Sequence, residues 1–127
     1  MFLWNFDSKS IKQQSTIDGI IGFSQGASIA SIITTNKFKE NNFLENTFKN
    51  IYISGFLDYD INYKTYYESG YPDKDTYFHI IGKKDKVISI NKSLELCQLH
   101  ENNYSQVHIH NRGHIIPKNY SNINLIY

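Results

Sequence analysis

A serine between two glycines, in the pattern Gly-Phe-Ser-Gln-Gly from Gly22 to Gly26, constrains the fold of this chain more than any other feature. The apolar run from Asp18 to Ser24 predicts a short strand, and the alanine- and isoleucine-rich segment from Ala27 to Ile33 predicts a helix. Small residues two positions from a serine permit a strained strand-to-helix turn. We therefore predict that Ser24 lies at the tip of such a turn.

Further apolar runs predict the rest of the fold. Strands are expected at Phe48 to Ser54, Thr76 to Ile81 and Gln106 to His110, and an amphipathic helix at Ile90 to Leu99. Because strands alternate with helices, the predicted class is α/β, with a mostly parallel sheet covered on both faces and a site at the carboxyl ends of the strands. The tyrosine-rich stretch between positions 56 and 75 is predicted to be a loop or short helix over the pocket.

Composition narrows the functional classes. A chain of 127 residues with 40% apolar content fits one domain, residues 1–127. Lys and Arg number 13 against 12 for Asp and Glu, so we expect no nucleic-acid partner, and no apolar run approaches the ~20 residues of a membrane span. The single cysteine, Cys97, forms no internal disulfide and is assigned to helix packing. With no export signal recognised, we expect a cytoplasmic location, and the oligomeric state stays open.

A serine nucleophile needs a histidine base, and the histidine needs an acid to fix its tautomer. In strand-turn-helix serine hydrolases, the acid and then the base follow the serine on loops after later strands. Asp85 follows the strand that ends at Ile81, and His114 follows the strand that ends at His110. We predict a Ser24, Asp85 and His114 triad, with the backbone N–H of Gln25 as an oxyanion donor at the helix N-terminus.

Other assignments of these residue types are open. Asp85 lies among lysines, as solvated turn residues often do, and four other acids compete with it but lack its position after a strand: Asp58, Asp60, Asp73 and Asp75. His108 and His110 share a strand face and, with His114, suggest a metal site, but no cysteine or carboxylate cluster supports one. We therefore predict no metal ligands and assign His79 and His100 no catalytic role.

Four segments resemble the FSH family of small serine hydrolases: Asp18 to Ala27, Ser54 to Phe56, His79 to Asp85, and Arg112 to Pro117. The resemblance implies an α/β-hydrolase, a three-layer sandwich, that cleaves small-molecule carboxylic esters without a metal or organic cofactor. It implies that Ser24 is the nucleophile, Asp85 the orienting acid and His114 the base. Gly55, Phe56 and the aromatic stretch after them are expected to wall an acyl pocket.

Two features depart from the family pattern. Arg112 replaces a glycine before the catalytic histidine. The strand ending in Leu-His-Gly that opens family members, and the loop after it that supplies a second oxyanion N–H, are not found, so we expect an N-terminally truncated member. Loss of one oxyanion donor costs about 10²- to 10³-fold in turnover, and the Ser24 strand would lie at a sheet edge open to another chain. The alternative function is a non-catalytic homologue that acts as a binding module or has no independent activity.

Overall fold

A four-stranded parallel sheet organises residues 17–118, the part of the chain that the computed structural model describes. The strands lie in the order in which they occur along the chain, and every neighbouring pair is parallel. The predicted α/β class is therefore confirmed, and β1 and β4 are the outer strands. The strands are β1 (Gly19–Phe23), β2 (Lys49–Ile53), β3 (Thr76–Gly82) and β4 (Tyr104–His110).

Short helices connect the strands. The predicted helix after Ser24 and the predicted helix before β4 are present, and the tyrosine-rich stretch contains a 3₁₀ turn, Ile61–Tyr63, followed by one short helix. A helix at Asn36–Asn41 was not predicted, because it lacks apolar periodicity and begins with a Thr35 side chain that accepts the Phe38 N–H. The helices are α1 (Gln25–Ile33), α2 (Asn36–Asn41), α3 (Lys64–Glu68) and α4 (Ile90–Gln98).

Alternation along the strands divides the apolar side chains between the two faces of the sheet. On one face, strand residues pack against α1 and α4 in a cluster that includes Ile20, Tyr52, Tyr77, Ala27, Ala30 and Leu96. On the other face, strand residues alone form a second buried cluster, Ile51, Ile53, Phe78 and Ile80, with Ile21 and Phe23 packed against it. Within residues 17–118, the helices therefore contribute to the core on one face, so the predicted covering of both faces is not found in this part of the chain. No helix in this part of the chain is long and apolar enough to cross a bilayer.

A buried ion pair lies at the amino end of β3. Lys39 Nζ is 2.9 Å from Asp75 Oδ2, and the side chains are 6% and 1% exposed. The other oxygen of Asp75 accepts the Phe48 N–H at 2.8 Å, and Lys39 Nζ also donates to the Asn46 carbonyl at 2.9 Å. Burial lowers the pKa of Lys39, although the hydrogen bond and charge of Asp75 oppose that shift. Asp75, one of the four acids that compete with Asp85 in the sequence, thus joins α2 to the sheet at the amino ends of the strands, opposite to Ser24.

Two histidines form a buried pair on the helix-covered face. His79 Nε2 lies 3.0 Å from His100 Nδ1, and the residues are 2% and 0% exposed. The His100 ring is nearly parallel to those of Tyr77 and Tyr52, with centroids 4.2 and 5.4 Å away. Burial lowers the pKa of His79 to about 3, and burial together with the neighbouring His79 lowers the pKa of His100 to about 2. Both rings are therefore neutral near pH 7.

This pair predicts that stability falls as the solution is acidified. Below the ordinary histidine pKa of 6.5 the unfolded chain binds protons that the folded chain does not, until the pH reaches the lowered values near 3 and 2. The free energy of unfolding should fall by up to about 1.4 kcal/mol per pH unit for each histidine in that window. His100→Phe keeps the ring stacking and should reduce the slope between pH 6.5 and 5 in urea denaturation. An unchanged slope would contradict the buried neutral pair.

Candidate active site

Ser24 occupies a strained turn between β1 and α1. Its backbone has φ 56° and ψ −117°, a conformation that costs a non-glycine residue about 1–3 kcal/mol. Its N–H donates to the Ile53 carbonyl at 2.8 Å, and its carbonyl accepts the N–H groups of Ala27 and Ser28 at 3.0 and 3.1 Å. These bonds hold the turn against the carboxyl end of β2.

Gly22 is the residue that lets β1 and α1 approach each other. A Cβ atom at this position would lie 2.4 Å from the Gly26 carbonyl oxygen and 2.6 Å from the Ala27 Cα. These neighbours are backbone atoms and cannot move aside independently of the helix. Close contact between strand and helix therefore requires glycine at position 22 and places the Gly26 backbone directly against it.

The Ser24 hydroxyl and the first N–H of α1 are available at this turn. Ser24 does not cap its helix, whereas Thr35 and Ser89 accept hydrogen bonds at the starts of α2 and α4. Within residues 17–118 the Ser24 hydroxyl makes no hydrogen bond to another group. Gln25 begins α1, where the N–H groups have no acceptor within the helix and the helix dipole is positive. The turn thus places the Ser24 hydroxyl beside N–H groups at the start of α1 that can donate hydrogen bonds to an anion.

Asp85 and His114 are in direct contact. Asp85 Oδ2 lies 2.7 Å from His114 Nδ1, with the side chains 1% and 20% exposed. The other oxygen of Asp85 accepts the N–H groups of Val87 and Ile88, each at 2.8 Å. Burial raises the pKa of Asp85, but the hydrogen bond from His114, the two backbone N–H groups and the charge of His114 together bring it below its ordinary value. The ionised Asp85 accepts the proton on His114 Nδ1, and Nε2 is the ring nitrogen that is left for another partner.

Phe23 brings His114 beside the Ser24 turn. The centroids of the Phe23 and His114 rings are 4.9 Å apart, with 40° between the ring planes. The structure therefore brings Asp85 and His114 together and places His114 next to the residue that precedes Ser24. Among residues 17–118, the His114 side chain is hydrogen-bonded to Asp85 and not to Ser24.

The loops that carry Asp85 and His114 are joined through their backbones. The Lys83 N–H donates to the His110 carbonyl at 2.8 Å, and the Lys84 N–H donates to the Arg112 carbonyl at 3.0 Å. A Cβ atom at Gly82 would lie 2.4 Å from the Gly113 carbonyl oxygen. Arg112 takes part in this junction through its backbone carbonyl, a group that every residue has. The contact therefore does not require a glycine at position 112, where the family pattern has one.

The two residues predicted to bind substrate have different surroundings. Gly55 is buried; its carbonyl accepts the Ser93 hydroxyl at 2.6 Å, and a Cβ here would lie 2.7 Å from Leu96 Cδ2. Phe56 instead lines a cavity of about 280 Å³. Its wall combines apolar and charged side chains: Phe56, Leu57, Asp58, Tyr59, Lys92 and Glu95.

The remaining candidates have other surroundings. Asp58 and Asp60 accept backbone N–H groups two residues further along the chain, which stabilises the turn before α3. Burial raises the pKa of the Cys97 thiol to about 12, which disfavours a reactive thiolate. Among residues 17–118 no three His, Cys, Asp or Glu side chains are grouped to hold a metal ion.

Comparison with known proteins places the chain in a family. The model of the family described as Serine hydrolase (FSH1) matches residues 6–126. The chain belongs to the FSH1 serine hydrolase family. Esterase OVCA2 of Xenopus tropicalis is 32% identical over 110 residues, which cover 87% of this chain and 46% of that protein. This FSH1-family chain thus spans about half the length of the curated relative that it matches.

Solved structures share the fold of this FSH1-family chain. A Zea mays acyl-protein thioesterase 2 superposes with a TM-score of 0.61 at 17% identity, covering 88% of this chain and 60% of that one. A Bacillus cereus carboxylesterase superposes with a TM-score of 0.58 at 20% identity, covering 87% and 53% respectively. The predicted α/β-hydrolase fold is thereby confirmed.

Several residues of this FSH1-family site were not singled out from the sequence. Phe23 lies within the predicted strand from Asp18 to Ser24, and Gly82 directly follows the predicted strand from Thr76 to Ile81, so neither residue carried a signal of its contacts with the His114 loop. Lys92 and Glu95 lie three residues apart on α4, a spacing that predicts one helix face. Helix α4 begins five residues after Asp85, at the carboxyl end of β3. The spacing of Lys92 and Glu95 was therefore the sequence signal that could have indicated a cavity at this end of the sheet.

We predict that Gly82→Ala separates the two loops of this FSH1-family site. The added Cβ would meet the carbonyl oxygens of Gly113 and Arg112 at 2.4 and 2.8 Å, so we expect a loss of about 1–3 kcal/mol in the free energy of unfolding. Gly113→Ala is the matched control, because its Cβ would meet only the Lys84 carbonyl oxygen, at 3.6 Å. Urea denaturation measures both variants, and equal losses would contradict the close loop contact.

Proposed function

We propose that this chain carries the nucleophile, base and orienting acid of an esterase: Ser24, His114 and Asp85. The observation that carries the proposal is the 2.7 Å contact between Asp85 and His114, with the His114 ring packed beside the Ser24 turn. The name of the relative, Esterase OVCA2, agrees with this assignment. The substrate class is a small-molecule carboxylic ester.

The proposed reaction is acyl transfer through a covalent intermediate. His114 Nε2 accepts the proton of the Ser24 hydroxyl as the serine oxygen attacks the ester carbonyl. The tetrahedral intermediate collapses, its C–O bond to the alcohol breaks, and His114 returns the proton to the leaving alcohol. Water, deprotonated by His114, then attacks the acyl-serine; the C–O bond to Ser24 breaks, His114 returns the proton to the serine oxygen, and the carboxylic acid leaves.

Asp85 and Gln25 support the charges that develop in this reaction. The Asp85 carboxylate holds His114 in the Nδ1–H tautomer and stabilises the imidazolium that forms during attack. The Gln25 N–H, at the positive end of α1, is the oxyanion donor assigned to this chain. Gly22 keeps that helix end against β1, so the serine and the donor share one rigid turn.

The cavity lined by Phe56 is proposed to hold the part of the ester that does not react. Phe56 lies three residues after Ile53, whose carbonyl accepts the Ser24 N–H, so the chain between them spans at most about 11 Å. The apolar wall of Phe56 and Leu57 suits an acyl chain. The cavity volume of about 280 Å³ fits a chain of modest length.

Steady-state hydrolysis of p-nitrophenyl esters tests the proposed triad. The wild-type protein should release p-nitrophenol, and Ser24→Ala should remove turnover above background. Asp85→Asn should lower kcat by about 10³- to 10⁴-fold, because the amide no longer fixes the reactive tautomer. Asp73→Asn changes an exposed acid outside the site and should leave kcat unchanged. Folded wild-type protein without turnover, or an active Ser24→Ala variant, would reject the esterase assignment.

A second prediction concerns the acyl pocket. Phe56→Ala removes an apolar wall, so kcat/KM for a long acyl ester should fall about 10- to 100-fold, which corresponds to the ~1.5–3 kcal/mol gained by burying a phenylalanine. The kcat/KM for p-nitrophenyl acetate should stay within about twofold, because an acetyl group is too small to reach that wall. Measurement across a series of acyl lengths distinguishes the two effects. Equal losses for short and long esters would show that Phe56 acts on the turn rather than on the acyl chain.

A further inference from the structure

His110 lies beneath the loop that carries His114. It is the last residue of β4 and is 9% exposed. In the sheet it is the register partner of Gly82, and its ring atom Cε1 would lie 3.0 Å from a Cβ at that position. The ring therefore occupies the junction between the Asp85 loop and the His114 loop.

The His110 ring makes a specific hydrogen bond to the His114 loop. His110 Nδ1 accepts the Arg112 backbone N–H at 3.1 Å. A nitrogen that accepts a hydrogen bond carries no proton, so the neutral ring has its proton on Nε2. The Arg112 carbonyl accepts the Lys84 N–H, so the Arg112 backbone is hydrogen-bonded to His110 through its N–H and to the Asp85 loop through its carbonyl.

Packing alone does not account for a histidine at this position. His110 Nε2 is buried and has no hydrogen-bond partner among residues 17–118. Leaving a buried donor unpaired is unfavourable, and an apolar side chain of similar size would avoid that cost. Burial lowers the pKa of His110; His108 and Arg112 act in the same direction and Asp85 in the opposite one. The ring is thus kept in the neutral form that accepts the Arg112 N–H.

We propose that His110 is a positioning residue, whose unprotonated Nδ1 fixes the 111–114 turn so that His114 Nδ1 meets Asp85. The inference rests on the proposed function, because it assigns His110 a role toward the base of the triad. Removal of the acceptor frees the Arg112 N–H and lets the turn shift. A misplacement of about 1 Å in a catalytic group costs about 10²-fold in rate.

Nuclear magnetic resonance of the whole chain tests the geometry without relying on activity. In wild-type protein at pH 7, the ¹⁵N resonances of His110 should show a neutral ring protonated on Nε2. The low-field proton of His114 Nδ1, bound to Asp85, should be lost in His110→Leu and retained in His110→Asn, whose amide oxygen accepts in place of Nδ1. Asn111→Ala, an exposed side chain in the same turn, is the control and should retain it.

Ester hydrolysis supplies the second measurement. His110→Leu should lower kcat by about 10- to 100-fold at unchanged KM, and His110→Asn should recover most of the lost rate. A wild-type His110 protonated on Nδ1 overturns the inference even if the leucine variant fails to fold. So does a leucine variant that keeps both the His114 signal and kcat, or an asparagine variant that behaves like leucine. If wild-type protein lacks turnover but the His114 proton depends on His110 as stated, the proposed function fails and the positioning role stands.

Discussion

The close contact of β1 with α1 at Gly22 is the constraint on which the site depends. With no side chain at this position, the strand end meets the Gly26 carbonyl and the Ala27 backbone directly. The chain must then reverse within one residue, which places Ser24 at a positive φ of 56°. The Ile53 carbonyl secures that strained residue through the Ser24 N–H. Ser24 is half-buried, and the tightly packed backbone around it fixes its place at the start of α1.

Parallel pairing of the strands brings Asp85 and His114 to the same end of the sheet as Ser24. Since all four strands point the same way, the loops after β1, β3 and β4 meet at one edge of the sheet. Backbone hydrogen bonds from Lys83 and Lys84 then join the two loops that carry Asp85 and His114. Burial of the Asp85 carboxylate is offset by hydrogen bonds from His114 and two backbone N–H groups. The negative charge of Asp85 is thus stabilised by backbone N–H groups as well as by the His114 side chain.

The sequence predicted the parts of the fold that local pattern determines. The strand-turn-helix around Ser24 and the strands ending near Ile81 and His110 follow from apolar runs bounded by glycine and polar residues. Helix α2 was missed, because its stability comes from the Thr35 cap and buried Lys39 rather than from periodicity. The His79–His100 pair and the His110 bond were also missed, since they join residues whose contact depends on tertiary packing. Roles of Ser24, Asp85 and His114 remain predictions that the geometry supports.

Covalent labelling tests the central claim, that Ser24 is an activated nucleophile, most directly. The purified chain would be treated with a fluorophosphonate, and the adduct located by mass spectrometry of the digested protein. We predict a single adduct on Ser24 that is absent from Ser24→Ala and strongly reduced in His114→Ala, because His114 activates the hydroxyl. Folded wild-type protein that stays unlabelled, or labelling that persists in Ser24→Ala, would contradict the claim and favour a non-catalytic binding role.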